Sequence, residues 1–255
     1  MGLGSLIKAR MAYDELVVGV TVNFVHAGLT EFLGNLGFDC VVIDGEHGPV
    51  VDSCVEDVAR AAALTQTASI IRLPVSGPQI ERYLGMGLSG LHIPRVRTVA
   101  EAEEVTGAAR FLPLGTRSVG NFRASDFGLR EGWPTEMMRT ANGDTIVMVA
   151  IEDQEGIDAL PSLLKMPGID VILIGEGDLS DSLGLVGQKD HPTVRAASDA
   201  IASMCLAANR PFGLGADSAA GVRAARERGA SYILTSVTSC LRGGAAEILA
   251  EARKN

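Results

Sequence analysis

The chain has 255 residues, 47% apolar, 21% charged and only 4% aromatic, with a net charge of −9. Such a composition excludes a disordered chain, which needs low hydrophobicity and dense charge. No run of Lys or Arg offers the basic stripe that nucleic acid or an anionic membrane would require. The length fits one large domain over residues 1–255, and thirty glycines without a Gly-X-Y period point to many tight turns.

Short apolar runs of strand character recur along the chain, most followed by a helical pattern. Strands are predicted at Val17–Val22, Cys40–Asp44, Ser69–Leu73, Gly90–Val96, Thr145–Glu152, Val171–Ile174, Pro211–Gly215 and Tyr232–Val237. Helices are predicted at Asp52–Leu64, with Asp52 as N-cap, at Gly77–Met86, and at Thr98–Arg110, where Thr98 and Glu101 form a capping box. Further helices follow at Gln154–Leu164, Thr193–Asn209, Asp217–Arg228 and Ser239–Arg253. About eight strand–helix units in this length match an α/β fold, the (β/α)8 TIM barrel. The strands are nearly continuous apolar runs, as strands covered on both faces should be. A doubly wound sheet is the alternative, but it usually stops at five or six strands.

Residues 111–144 break the rhythm. They are rich in Gly, Pro and polar residues and carry the only Trp, Trp133, with Arg117 and Arg123 close to glycines. A long irregular loop in a compact domain is more often functional than idle, so this one is expected to shape the substrate pocket. Cys40, Cys54, Cys205 and Cys240 are scattered with no CxxC pair, which suits a reducing cytoplasm. The N-terminal MGLGSLIKAR lacks a signal peptide's apolar core, and no apolar stretch approaches a membrane span.

Active sites of (β/α)8 barrels lie at the C-terminal ends of the strands. There the second strand ends in Asp44-Gly45-Glu46-His47-Gly48-Pro49, the third in Arg72, the fifth in Glu152-Asp153, and the sixth in Gly175-Glu176-Gly177-Asp178. Each has a plain reading: Asp178 can cap a turn, His47 can be a solvated loop residue, and Arg72 can reach out to water. Their convergence on one rim favours chemistry instead. Asp44 lies three residues before His47, near enough to hold a ring nitrogen, and a carboxylate–imidazole pair is a common general base. Carboxylates without Cys or a second obvious His form an oxygen-rich set suited to a hard divalent ion such as Mg²⁺ or Mn²⁺. A chelating 2-oxo acid would complete the coordination, the ion acting as Lewis acid on the keto oxygen. The lysines are only Lys8, Lys165, Lys189 and Lys254, none at a strand end on the rim, which argues against an imine route. GEGDLS is a poor nucleotide fingerprint, because Ser180 stands where the third glycine belongs.

The segments GFDCVVIDGEHGP (37–49), IIRLP (70–74), GTRSVG (115–120), VMVAIED (147–153) and GEGDLS (175–180) together resemble the HpcH/HpaI aldolase family over nearly the whole chain. The resemblance implies a class II, metal-dependent aldolase acting on a 4-hydroxy-2-oxo acid through a pyruvate enolate. It implies Glu152 and Asp178 as ligands of Mg²⁺, Mn²⁺ or Co²⁺, His47 as general base with Asp44 as its partner, and Arg72 on the enolate oxygen. Arg72, Gly177 and Asp178 would contact the substrate, a pyruvate- or oxaloacetate-like acid meeting an aldehyde or other acceptor. It also implies a homo-oligomer built from dimers that assemble into hexamers, with Ser239–Arg253 exchanged between subunits. The chain departs from the family pattern at several places: Ala150 in place of Gln, Gly85 in place of an acidic residue, Glu176-Gly177 in place of Pro and a small residue, and a shorter loop after Gly120 that reads NFRASDFG. They surround the substrate and keep open a relative that joins the enolate to another acceptor, citrate synthase-like or Diels–Alder-like. A barrel that binds a small acid without turnover is the reading from another class; intact Asp44, His47, Arg72, Glu152 and Asp178 argue against it.

Overall fold

Strands that are apolar on both faces must be covered on both, and closure into a barrel achieves this. The computed structural model describes residues 2–129 and 131–254. Its eight parallel strands close in sequence order: β1 (Val17–Val22), β2 (Cys40–Asp44), β3 (Ala68–Arg72), β4 (Gly90–Ile93), β5 (Ile146–Ile151), β6 (Val171–Ile174), β7 (Phe212–Gly215) and β8 (Tyr232–Ser236). Around them run α1 (Leu3–Ala12), α2 (Ala27–Asn35), α3 (Asp52–Leu64), α4 (Gly77–Gly85), α5 (Val99–Ala109) and α6 (Thr135–Asp144). The series continues with α7 (Gln154–Leu163), α8 (Glu176–Ser182), α9 (Pro192–Ala207), α10 (Ala219–Glu227) and α11 (Val237–Ala252). The expected (β/α)8 barrel is therefore the fold.

Side chains alternate across a strand, and here the alternation separates two cores. Val41 and Ile43 of β2 face outward with Ile71, Leu91, Val147 and Ile172, packing on helix residues such as Val55, Val58, Ala102 and Leu160. Cys40 and Val42 face the lumen with Ile70, Met148, Ala150, Leu173 and Tyr232. The same parity sends Asp44, Arg72, His92 and Glu152 to the lumen, each an even number of residues beyond an inward-facing one. Strand register sets Asp44 beside Arg72, Arg72 beside His92, and His92 beside Met148.

Local chemistry sets several boundaries. The capping box of Thr98 and Glu101 forms as expected. β4 stops at Ile93, short of the predicted Val96, because Pro94 has no N–H to donate and Arg95 adopts φ +50°. Val51, not Asp52, is the N-cap of α3; Asp52 opens the helix and pairs with Arg82. Four helices lie where no helix was predicted, among them the short α8 that follows β6. Two others, α2 and α6, carry glycines and polar residues that weaken the helical signal. The fourth, α1, closes the N-terminal end of the barrel by burying Ile7 and Met11 in the lumen core. Beyond Val237 and its first turn, α11 is exposed, with Leu241 and Ile248 open to solvent. No helix among the described residues is long and apolar enough to cross a membrane.

The lumen floor rests on Tyr232, which is fully buried, its hydroxyl 3.4 Å from Cys40 Sγ. A methyl group added at Gly19 or Gly213 would meet the Tyr232 ring or hydroxyl. Tyr232→Ala should cost about 3–5 kcal/mol through the cavity it leaves, and Gly19→Ala about 1–3 kcal/mol through overpacking. Denaturant titration of both variants measures this.

Candidate active site

Asp44 ends β2 at 1% exposure, so its charge needs partners. Its carboxylate accepts from Arg72 Nε at 3.2 Å, Asn23 Nδ2 at 2.8 Å and the backbone N–H of His47 at 3.0 Å, while Arg72 Nη2 lies 2.8 Å away. Burial works to raise its pKa, but the His47 N–H and the Arg72 guanidinium outweigh it and hold the carboxyl below the usual range. The tight β2 exit requires Gly48, where a Cβ would run into the Asp44 carbonyl.

These contacts correct one expectation. Asp44 reaches His47 through the backbone, because its oxygens are taken by Arg72, Asn23 and amides. The imidazole turns outward at 59% side-chain exposure and sets Nε2 3.5 Å from Glu46 Oε2. Glu46, which the sequence reading quoted without a role, is thus the ring's carboxylate neighbour; it also lies 3.5 Å from Arg72 Nε.

Glu152 follows β5 at 8% exposure and accepts the backbone N–H of Arg95 at 3.0 Å. Burial first, then Asp178 and Glu46, push its pKa up to about 7 against the opposing Arg95 amide and Arg72. Its carboxyl packs against Gly175, where any Cβ would collide with it. Asp178 sits in the first turn of α8, half exposed, on the same side as Glu152. Gly177 beside it has open space where a side chain would be.

Sequence reading missed Arg95. Its guanidinium lies 3.5 Å from Glu46 and 3.6 Å from Asp178, a cation drawn into the gap between converging carboxylates. Its signal was the charge directly after Ile93-Pro94 at the end of β4. Glu176 also lines the rim cavity, but its carboxylate is paired with Arg228 at 2.8 Å and accepts from the Ser198 hydroxyl at 2.7 Å.

A cavity of about 260 Å³ opens at this end of the barrel, lined by Arg72, His92, Ala150, Glu152, Gly177 and Asp178 among others. Lys189 also lines it, exposed and carried by the α8–α9 connection rather than by a strand end. No described residue of the 111–144 segment lines it. That segment joins the end of α5 to the start of β5 and therefore lies at the opposite, N-terminal face. There Arg117 stacks on Phe111, 4.5 Å from the ring centre, and Arg123 donates to the Met86 carbonyl at 3.1 Å. Arg117, Arg123 and the β5 entry residue Thr145 line a separate cavity of about 850 Å³. The expectation that this loop shapes the substrate pocket does not hold within the chain.

All these residues fall inside residues 19–239, which match the family model for HpcH/HpaI aldolase/citrate lyase. The chain is 34% identical over 192 residues to a hydroxypyruvate/pyruvate aldolase of Roseobacter denitrificans, covering 74% of this chain and 73% of that one. It is 32% identical over 228 residues to a 5-keto-4-deoxy-D-glucarate aldolase of Shigella boydii, covering 89% and 87%. Among solved structures it is similar to the citrate synthase SbnG, with TM-score 0.86, 25% identity and 96% of each chain covered. The chain belongs to the HpcH/HpaI aldolase/citrate lyase family, whose members are lyases acting on carbon–carbon bonds.

Proposed function

We propose that the chain is a divalent-metal-dependent aldolase that cleaves or forms a 4-hydroxy-2-oxo acid through a pyruvate enolate. The carrying observation is the pairing of an arginine with a carboxylate cluster short of positive charge at one barrel mouth. Among the described residues no three His, Cys, Asp or Glu side chains form a complete ligand cluster. Glu152 and Asp178 nevertheless suit a hard cation. The donors are all oxygen, and a buried carboxyl pushed up to about 7 is one that a cation would return to its charged form. A divalent ion held there, Mg²⁺, Mn²⁺ or Co²⁺, would polarise the 2-oxo group and favour enolate formation.

The chain's own residues do the rest. Arg72, oriented by Asp44, places positive charge where the enolate oxygen gains its negative charge. In cleavage, His47 takes the proton of the 4-hydroxyl, the C3–C4 bond breaks, and its electrons become the enolate as the aldehyde leaves. The enolate carbon then takes a proton to give pyruvate. Glu46 stabilises the protonated imidazole, and Asp44 acts by positioning both the His47 loop and Arg72. Gly177 and Asp178 lie where first-turn amides of α8 lack helical acceptors, so they can meet the substrate carboxylate.

A second reading joins the same enolate to a different acceptor. Similarity to the citrate synthase SbnG favours it, and so does Ala150, which leaves room at the lumen wall. Both readings share the first half-reaction. The metal-free protein, given Mg²⁺ or Mn²⁺ and pyruvate in D₂O, should exchange the methyl protons, read by NMR. Exchange should vanish in His47→Ala, Arg72→Ala and Glu152→Ala variants that remain folded. Exchange that persists without metal, or in Arg72→Ala, contradicts the proposal.

Partners under this reading are small acids and aldehydes or other acceptors in the cytoplasm, where the four free cysteines remain reduced. The exposed apolar positions of α11 support exchange of that helix between subunits of a dimer-based oligomer, up to a hexamer. Light scattering should find an oligomer that Leu241→Glu/Ile248→Glu weakens; a monomeric wild-type protein refutes helix exchange.

Glu152 also links pH to stability. Its folded pKa of about 7 exceeds the ordinary 4.5, so its contribution is complete below pH 4.5 and lost as pH rises through 7. Without metal, the wild-type protein should lose about 3 kcal/mol relative to Glu152→Gln between pH 4.5 and 8. Saturating Mn²⁺ should flatten that difference. Thermal or denaturant unfolding across the pH range measures it.

A further inference from the structure

The lumen row of Asp44 and Arg72 continues onto β4 with His92, register partner of Arg72. His92 is 4% exposed, and both ring nitrogens are enclosed without a hydrogen-bond partner. Apart from Arg72, its strand neighbour is apolar, Met148 on β5, and the cavity it lines mixes apolar Ala150, Leu173 and Leu234 with charged side chains such as Glu152. Burying a polar group unpaired is costly, and an aliphatic side chain would fill this position without that penalty. Packing therefore gives no reason for an imidazole here, yet the ring lines the floor of the cavity into which Arg72 also points.

The charged groups acting on it are Arg72 on β3 and Asp44 on β2. Burial, then Arg72, pull its pKa down to about 3, against the opposing Asp44. The ring is neutral across the physiological range, with one N–H to donate and one nitrogen to accept. It stands next to the guanidinium that the proposed function assigns to the oxo acid.

We propose that His92 is a substrate-orienting residue of this site, whose ring N–H donates to an oxygen of the 2-oxo acid held by Arg72. This rests on reading the cavity as a 2-oxo-acid site. Arg72 supplies charge and His92 a directional neutral donor, so the bound acid is fixed in rotation as well as in place. The ligand class is a small 2-oxo acid whose carboxylate or keto oxygen reaches the lumen floor.

The test uses the full chain loaded with Mg²⁺ and pyruvate as probe. In wild-type protein labelled with ¹⁵N-histidine, pyruvate should shift the His92 ring nitrogens, which a purely structural residue would not show. His92→Leu should weaken pyruvate binding on the order of tenfold and leave the melting temperature equal or higher, since two unpaired polar atoms are removed. His92→Gln or His92→Asn, which retain a donor, should recover part of the affinity. Unmoved ring nitrogens, or wild-type affinity in His92→Leu, overturn the proposal. If Arg72→Ala abolishes binding while His92→Leu does not, only the role of His92 falls; if wild-type protein binds no pyruvate, the aldolase reading falls with it. Should His92→Leu fail to fold, the wild-type nitrogen shift decides.

Discussion

The pairing of Asp44 with Arg72 across β2 and β3 is the interaction on which the rim depends. A carboxylate 1% exposed cannot stay charged without a cation, and Arg72 supplies two contacts from the next strand. Removing either partner of a buried pair leaves a stranded charge, typically a loss of 3–5 kcal/mol. The pair also fixes what surrounds it. Asp44 accepts from the amide of His47, so the loop carrying His47 is tied to the same carboxylate that holds Arg72. Under the proposed function, base and oxyanion support would thus be coupled through one buried side chain.

The opposite wall of the mouth shows the reverse balance. Glu152, Asp178 and Glu46 crowd together, and the positive groups beside them are loosely placed: Arg95 lies 3.5 Å from Glu46 and 3.6 Å from Asp178, and Arg72 lies 3.5 Å from Glu46. Elsewhere the chain neutralises buried charge closely, as Arg228 does for Glu176 at 2.8 Å. The looseness at Glu152 and Asp178 is therefore local. Carboxyls brought together at a cost to the fold are a common mark of a functional site. Gly175 shows how closely the backbone makes room for Glu152, since no other residue fits beside its carboxyl.

Much of this was legible in the sequence, and the physics says why. Nearly continuous apolar runs carry the strands, and side-chain parity along them carries the site: from Cys40 and Val42 one steps to Asp44, from Ile70 to Arg72, from Met148 and Ala150 to Glu152. What was not legible depended on directions finer than parity. Asp44 and His47 are three residues apart, close enough for a ring contact, but three strong donors compete for the carboxylate and win. Arg95 went unnoticed because the predicted strand ran on to Val96 and enclosed it, whereas the strand stops at Ile93 and Arg95, with a left-handed backbone, lies near Glu46 and Asp178. The 111–144 segment was misplaced for a topological reason: a connection from helix to strand returns to the N-terminal face, whatever its composition.

The departures from the family pattern now separate into those that alter the chemistry and those that do not. Glu176 leaves the rim's charge largely unchanged, because Ser198 and Arg228 absorb it. At Gly85, space that a side chain would fill lies against Phe122, on the N-terminal side of the barrel. Ala150 lines the cavity, as Glu176 does, but it carries no charge and shares the lumen wall with His92. A small residue above an unpaired imidazole gives the floor of the site a neutral polar contact with room over it. Differences in acceptor or oxo-acid preference between this chain and its relatives should therefore trace to the β4–β5 wall. Under the proposed function, the Asp44–Arg72 pair and the Glu152–Asp178 carboxylates would serve the enolate step that either reaction needs.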